Sequence, residues 1–158
     1  MARKLSFPPG GDIPLIRSDF SDQEKWEAAR DAAVATYHAG PTPTDSFSAS
    51  LQIVDDIQYR DISLDEAVDS LPTTNGKSVD ERIADIINLP DGSYPAVLLA
   101  DAHALDSEGF NFLVIDLYEN PGRALRVPAS SLWIVTTGLE FGTQLFHELA
   151  GQFEEVPN

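Results

Sequence analysis

PAVLLADAHALDSEGFNFLVIDL, residues 95–117, is the stretch on which the fold turns. It contains two continuously apolar runs, AVLLA at 96–100 and FLVI at 112–115. Neither shows the alternation of a strand with one wet face, so both are predicted to be strands covered on both sides at the centre of a sheet. Only the segment from Ala102 to Phe110 lies between Asp101 and Asn111. That is too short for the crossover a parallel pair requires, so the two strands are expected to run antiparallel.

Downstream, Asn120, Pro121 and Gly122 form a turn signal before RALRV at 123–127, which predicts a hairpin with the second run. A final helix is expected from near Thr143, burying Leu145, Phe146, Leu149 and Phe153. Upstream, IPLIR at 13–17 reads as a short strand. Ser21 followed by Glu24 is a capping box opening a helix toward Tyr37, with Trp26, Ala29, Ala33 and Tyr37 on its buried stripe. Phe47, Ala49, Leu51 and Ile53 alternate with Ser48, Ser50 and Gln52, the pattern of a strand near a sheet edge. Two further capping boxes, Ser63 with Glu66 and Ser78 with Glu81, open short helices separated by Pro72, Asn75 and Gly76.

The element order predicts an α/β protein, with α+β as the alternative: a mixed sheet of about five or six strands with helices packed on it. A chain of 158 residues, 42% of them hydrophobic, suits one core. We place a single globular domain at 12–156 behind a flexible leader at 1–11, where Pro8, Pro9, Gly10 and Gly11 break regular structure.

The chain has no cysteine, which removes disulfides, thiolate nucleophiles and thiolate metal sites and fits a reducing compartment. No apolar run approaches the length of a membrane span, and Pro and Gly stand where the core of a signal peptide would lie. A cytoplasmic protein without membrane contact is the expectation. Ten basic against 26 acidic side chains give a net charge of −16. That field repels phosphate backbones, so direct nucleic-acid binding is disfavoured, and it attracts basic partners or cations.

Acidic residues follow the apolar strands: Asp19, then Asp55 and Asp56, then Asp101 with His103, and Asp116 at the end of the fourth. Carboxyl ends of strands in open α/β sheets are where sites form, and carboxylates suit a hard divalent cation. Helical connections make the first three strands parallel, which brings Asp19, Asp55, Asp56, Asp101 and His103 to one rim. The antiparallel fourth strand carries Asp116 roughly 16 Å away. The weak metal candidates are therefore Asp55, Asp56 and Asp101, and the catalytic ones are Asp101 and His103 as general base. The bland reading, in which these carboxylates cap helices and turns or are solvated, carries more weight. HELAG at 147–151 begins like a zinc-protease helix, but Gly151 stands where the second histidine ligand would be. No nucleophile elbow, Walker loop or dinucleotide fingerprint is present. Trp133 is expected in the core, or else lining a ligand or partner surface. Arg123 and Arg126 are expected to pair internally with Glu119 or Asp116, or else to hold an anionic ligand group.

IPLIRSDFSD at 13–22, VDD at 54–56, Ala100 with Asp101, VIDLYENPGR at 114–123 and Leu132 with Trp133 resemble segments of a family of small acidic, mostly bacterial proteins classed as a domain of unknown function. The stretch from Thr73 to Ser93 departs from that family's pattern as an insertion. The resemblance implies a shared fold and carries no catalytic residues with it.

Charge and missing motifs favour a non-enzymatic acidic binding or regulatory module that engages a basic protein partner or a small ligand, with no cofactor. One alternative is a divalent-metal-dependent hydrolase built on the Asp cluster. Another is a nucleic-acid mimic, whose carboxylates would occupy the DNA-binding groove of another protein.

Overall fold

The computed structural model describes residues 13–38, 46–70, 95–117, 120–141 and 146–156. The leader at 1–11, the capping box at Ser78, the breakers Pro72, Asn75 and Gly76, and Glu119, Thr143 and Leu145 all lie outside them.

Strand β1 (Ile13–Arg17) is followed by helix α1 (Gln23–Val34), the short strands β2 (Tyr37–His38) and β3 (Ser46–Phe47), strand β4 (Leu51–Val54), and a 3₁₀ turn at Ile57–Tyr59. Then come α2 (Leu64–Ser70), β5 (Ala96–Ala100), α3 (Ala102–Asp106), β6 (Asn111–Asp116), β7 (Ala124–Pro128), a 3₁₀ turn at Ala129–Ser131, α4 (Leu132–Phe141), α5 (Phe146–Leu149) and β8 (Glu154–Val156). One mixed sheet runs β4-β1-β5-β6-β7-β8, and β2 and β3 form a separate two-stranded ribbon.

The two apolar runs occupy the centre of the sheet, as their patterning predicts. β5 and β6 pair antiparallel with Ala96 opposite Asp116 and Leu99 opposite Leu113, and β7 continues the antiparallel half. β1 lies parallel to both β4 and β5. The alternation along each strand sorts the core into two layers. Ile13, Leu15, Leu98, Phe112, Val114 and Leu125 pack on one face beneath Trp26 of α1 and Leu132 of α4. Ile16, Val97, Leu99, Leu113 and Ile115 pack on the other beneath Tyr59, Ile62 and Ala67. Burying a side chain of this size is worth roughly 1.5–3 kcal/mol, so continuous runs covered twice contribute more per residue than half-wet strands.

Several expectations are corrected in detail. The N-cap of α1 is Asp22, whose side chain accepts from Lys25 N–H at 3.0 Å, and not Ser21. The Ser21 N–H is already donated to Asp19 Oδ1 at 2.9 Å, so the reciprocal bond from Glu24 that a capping box needs has no donor to reach. Helix α1 ends at Val34 rather than Tyr37. Tyr37 belongs to β2, and its hydroxyl donates to the last-turn Ala32 carbonyl at 2.7 Å, which also accepts from the Ala35 N–H at 3.4 Å. The predicted edge strand is divided: Ser46–Phe47 pairs with β2, while Leu51–Val54 forms the sheet edge beside β1.

At the C-terminal end, residues 132–141 form a helix that the sequence pattern did not announce. Ile134, Val135, Thr136, Thr137 and Gly138 all depress helix propensity. Burial of Leu132, Val135 and Leu139 against the sheet overrides it. The last helix spans only Phe146–Leu149, with Phe153 in the turn beyond it, because the chain then leaves to pair β8 with β7. The Ser63–Glu66 capping box forms as expected, with Glu66 N–H donating to Ser63 Oγ at 3.1 Å and Ser63 N–H to Glu66 Oε1 at 3.4 Å.

Candidate functional site

The parallel β4, β1 and β5 end on one rim, and the segments leaving them carry Asp55 and Asp56, Ser18 and Asp19, and Asp101. β1 stands between β4 and β5, so Asp55 and Asp101 are separated by two strand spacings, about 10 Å. What fills the space between them is an arginine absent from the sequence-derived site. Arg17, at the end of β1, is only 4% exposed. Its Nη1 donates to Gln23 Oε1 at 2.9 Å and to Asp55 Oδ1 at 3.2 Å, and its Nε donates to the Asp19 carbonyl at 3.1 Å. The guanidinium carbon lies 4.2 Å from the centroid of the Phe20 ring and 5.3 Å from that of Trp26. Trp26 Nε1 donates to the other Asp55 oxygen at 3.2 Å. One carboxylate thus compensates a buried cation and a buried indole N–H together. The signal was present in the sequence: a charged residue closing an otherwise apolar strand must find a partner.

The second carboxylate cluster centres on Asp101. It caps α3 by accepting from Ala104 N–H at 2.9 Å and receives two bonds from Arg126, Nη1 to Oδ1 at 2.9 Å and Nη2 to Oδ2 at 2.8 Å. Arg126 also donates to the Asn111 carbonyl at 3.2 Å. Both arginines pair internally, and the partners seen among the described residues are Asp101 and Glu155. Arg126 binds Asp101 across β6, and Arg123 forks onto Glu155 of β8 at 2.6 and 3.2 Å. The hydrogen bond from Arg123 holds the Glu155 carboxyl below the usual glutamate range. Arg126 reaches Asp101 from two strands away because the register of β7 sets it level with the rim, and Arg123 meets Glu155 on the adjacent β8.

Asp56 caps the 3₁₀ turn through Gln58 N–H at 3.0 Å and also accepts from Gln58 Nε2 at 2.8 Å. His103 is exposed on α3. Asp116 is buried at the opposite end of the sheet and accepts from Asn120 N–H at 2.6 Å, in agreement with the antiparallel geometry. Among the described residues no group of three or more His, Asp or Glu side chains is placed to hold a metal ion. Trp133 is half-buried and stacks on Phe47 of β3, with centroids 4.4 Å apart and planes 11° from parallel.

Beside the Arg17 network the rim opens into a cavity of about 240 Å³ lined by Asp19, Phe20, Ser21, Arg60 and Asp61. Asp61 N–H donates to the Ser18 carbonyl at 2.8 Å, which ties the loop after the 3₁₀ turn to the end of β1. Asp61 has a φ of 58°, a conformation that Asp and Asn adopt more readily than other side chains. Next to it, Ile57 is 61% exposed, the most exposed large apolar side chain among the described residues. No helix among them is long and apolar enough to cross a membrane.

A search of the curated proteins finds no match. A family model does match, over residues 12–156, which takes in every strand of the sheet and both arginine networks. The chain belongs to the family described as Domain of unknown function (DUF6924).

Proposed function

We propose that the protein is a non-enzymatic binding or regulatory module that docks a basic protein partner on the acidic rim where β1, β4 and β5 end. The observation that carries this reading is how the rim carboxylates are used. Asp55 is committed to Arg17 and Trp26, and Asp101 to Arg126 and the start of α3, so both serve the fold. A metal-dependent hydrolase would instead need such oxygens converging on one point within about 2.0–2.6 Å of a cation. Beside the Asp55 pair the outer carboxylates Asp56 and Asp61 face solvent. Exposed Ile57 among them supplies the apolar anchor that a charged docking surface needs to bind and not merely attract.

Immobilised protein would capture a set of proteins biased toward basic isoelectric points. The set would be released near 0.5 M salt, where the Debye length is well under 10 Å. Ile57→Ser would weaken capture of the same set at low salt. Capture without charge bias, or bound proteins indifferent to salt, would end this reading.

A further inference from the structure

The cavity beside Arg17 has a chemistry more specific than that of the surrounding surface. Its walls hold two carboxylates, an aromatic ring and an arginine. Asp19 Oδ1 accepts from Ser21 N–H, and among the described residues Oδ2 of the same side chain carries no hydrogen bond. The Asp61 carboxylate has the 3.8 Å approach of Arg60 Nε, too long for a hydrogen bond, with both side chains largely exposed. Phe20 already packs against a guanidinium, that of Arg17 at 4.2 Å, which shows that its ring accepts a planar cation. About 240 Å³ is enough for a side-chain head group and too small for a folded element.

We infer that this cavity takes a guanidinium group, supplied by an arginine side chain of the partner, seated against Phe20 between the carboxylates of Asp19 and Asp61. The inference rests on the proposed docking of a basic partner and names the contact that would give it specificity. A guanidinium suits the site better than an ammonium, because its plane stacks on a ring and its paired N–H groups match a carboxylate fork.

The test is calorimetric titration with a nona-arginine peptide and with argininamide, following the Ser21 and Asp61 amide resonances in parallel. Asp19→Asn with Asp61→Asn is the site variant. Asparagine keeps the acceptor for Ser21 N–H and tolerates the positive φ at 61, so the fold is retained, and an unchanged thermal transition checks this. Glu24→Gln with Asp31→Asn removes the same charge from exposed positions on α1. The site variant is expected to lose about tenfold in affinity for nona-arginine and the α1 variant no more than about twofold. Resonance shifts with argininamide alone would identify a free guanidinium compound as an occupant; shifts only with the peptide would identify the partner side chain; either supports the cavity assignment. Equal losses in the two variants would overturn the cavity and leave the docking surface standing. No binding of nona-arginine by the unmodified protein would overturn both.

Discussion

Replacing Asp55 by Ala tests the claim that the rim carboxylates serve the fold. The substitution removes the acceptor for Arg17 Nη1 and for Trp26 Nε1 in one step. The Asp55 side chain is 40% exposed, so its ion pair is partly screened and is worth about 1 kcal/mol. The partners are not exposed: the Arg17 side chain is at 5% and Trp26 at 0%. Orphaning the indole N–H costs about 1–2 kcal/mol, and leaving the guanidinium with Gln23, the Asp19 carbonyl and two rings costs a further ~1 kcal/mol. The expected total is about 3 kcal/mol, or roughly 6–12 °C in Tm for a domain of this size. Asp55→Asn retains an acceptor and is expected to lose about half as much. Arg17→Met is expected to cost less than Asp55→Ala, because the carboxylate it leaves behind can reach water whereas a stranded guanidinium cannot. Urea unfolding of the three variants measures all of this. An Asp55→Ala loss below about 1 kcal/mol, or Arg17→Met as the worst of the three, would refute the network.

Asp101→Ala removes both the cap of α3 and the forked partner of Arg126, and is expected to cost about 3 kcal/mol in urea unfolding, with Asp101→Asn retaining the cap and losing about half. Gly122 sits at a φ of 102° with open space around its Cβ position, so Gly122→Ala should lose about 1–2 kcal/mol from backbone strain alone, readable as a shifted urea midpoint at unchanged slope. In a carbon-detected titration Glu155 should titrate below the usual glutamate range, and Arg123→Gln should return it there. Since its folded pKa is the depressed one, the stability it contributes is present above the unfolded pKa and is lost as pH falls through the folded value. Millimolar Mg²⁺ should leave Tm unchanged; a rise in the unmodified protein that Asp55→Asn abolishes would place a cation at the rim after all.

Much of the fold is legible in local pattern. AVLLA and FLVI announce the sheet centre because a strand buried on both faces cannot alternate, and the short segment between them dictates their antiparallel pairing. Patterns fail where packing outweighs propensity. The stretch 132–141, rich in β-branched residues, becomes helix α4 because the sheet face it covers rewards its Leu132, Val135 and Leu139. The capping box at Ser21 fails for a different reason: Asp19, two residues earlier, competes successfully for the same N–H.

At the rim the same division holds. Sequence alone determined the sign of the surface, the strand ends that carry acid, and the exclusion of Asp116 from them, since these follow from composition, spacing and chain direction. Only the tertiary structure decided what the carboxylates do. Whether Asp55 meets Arg17, or Asp101 meets Arg126, depends on strand order and register, and these are set by the burial of two apolar layers that no local window contains.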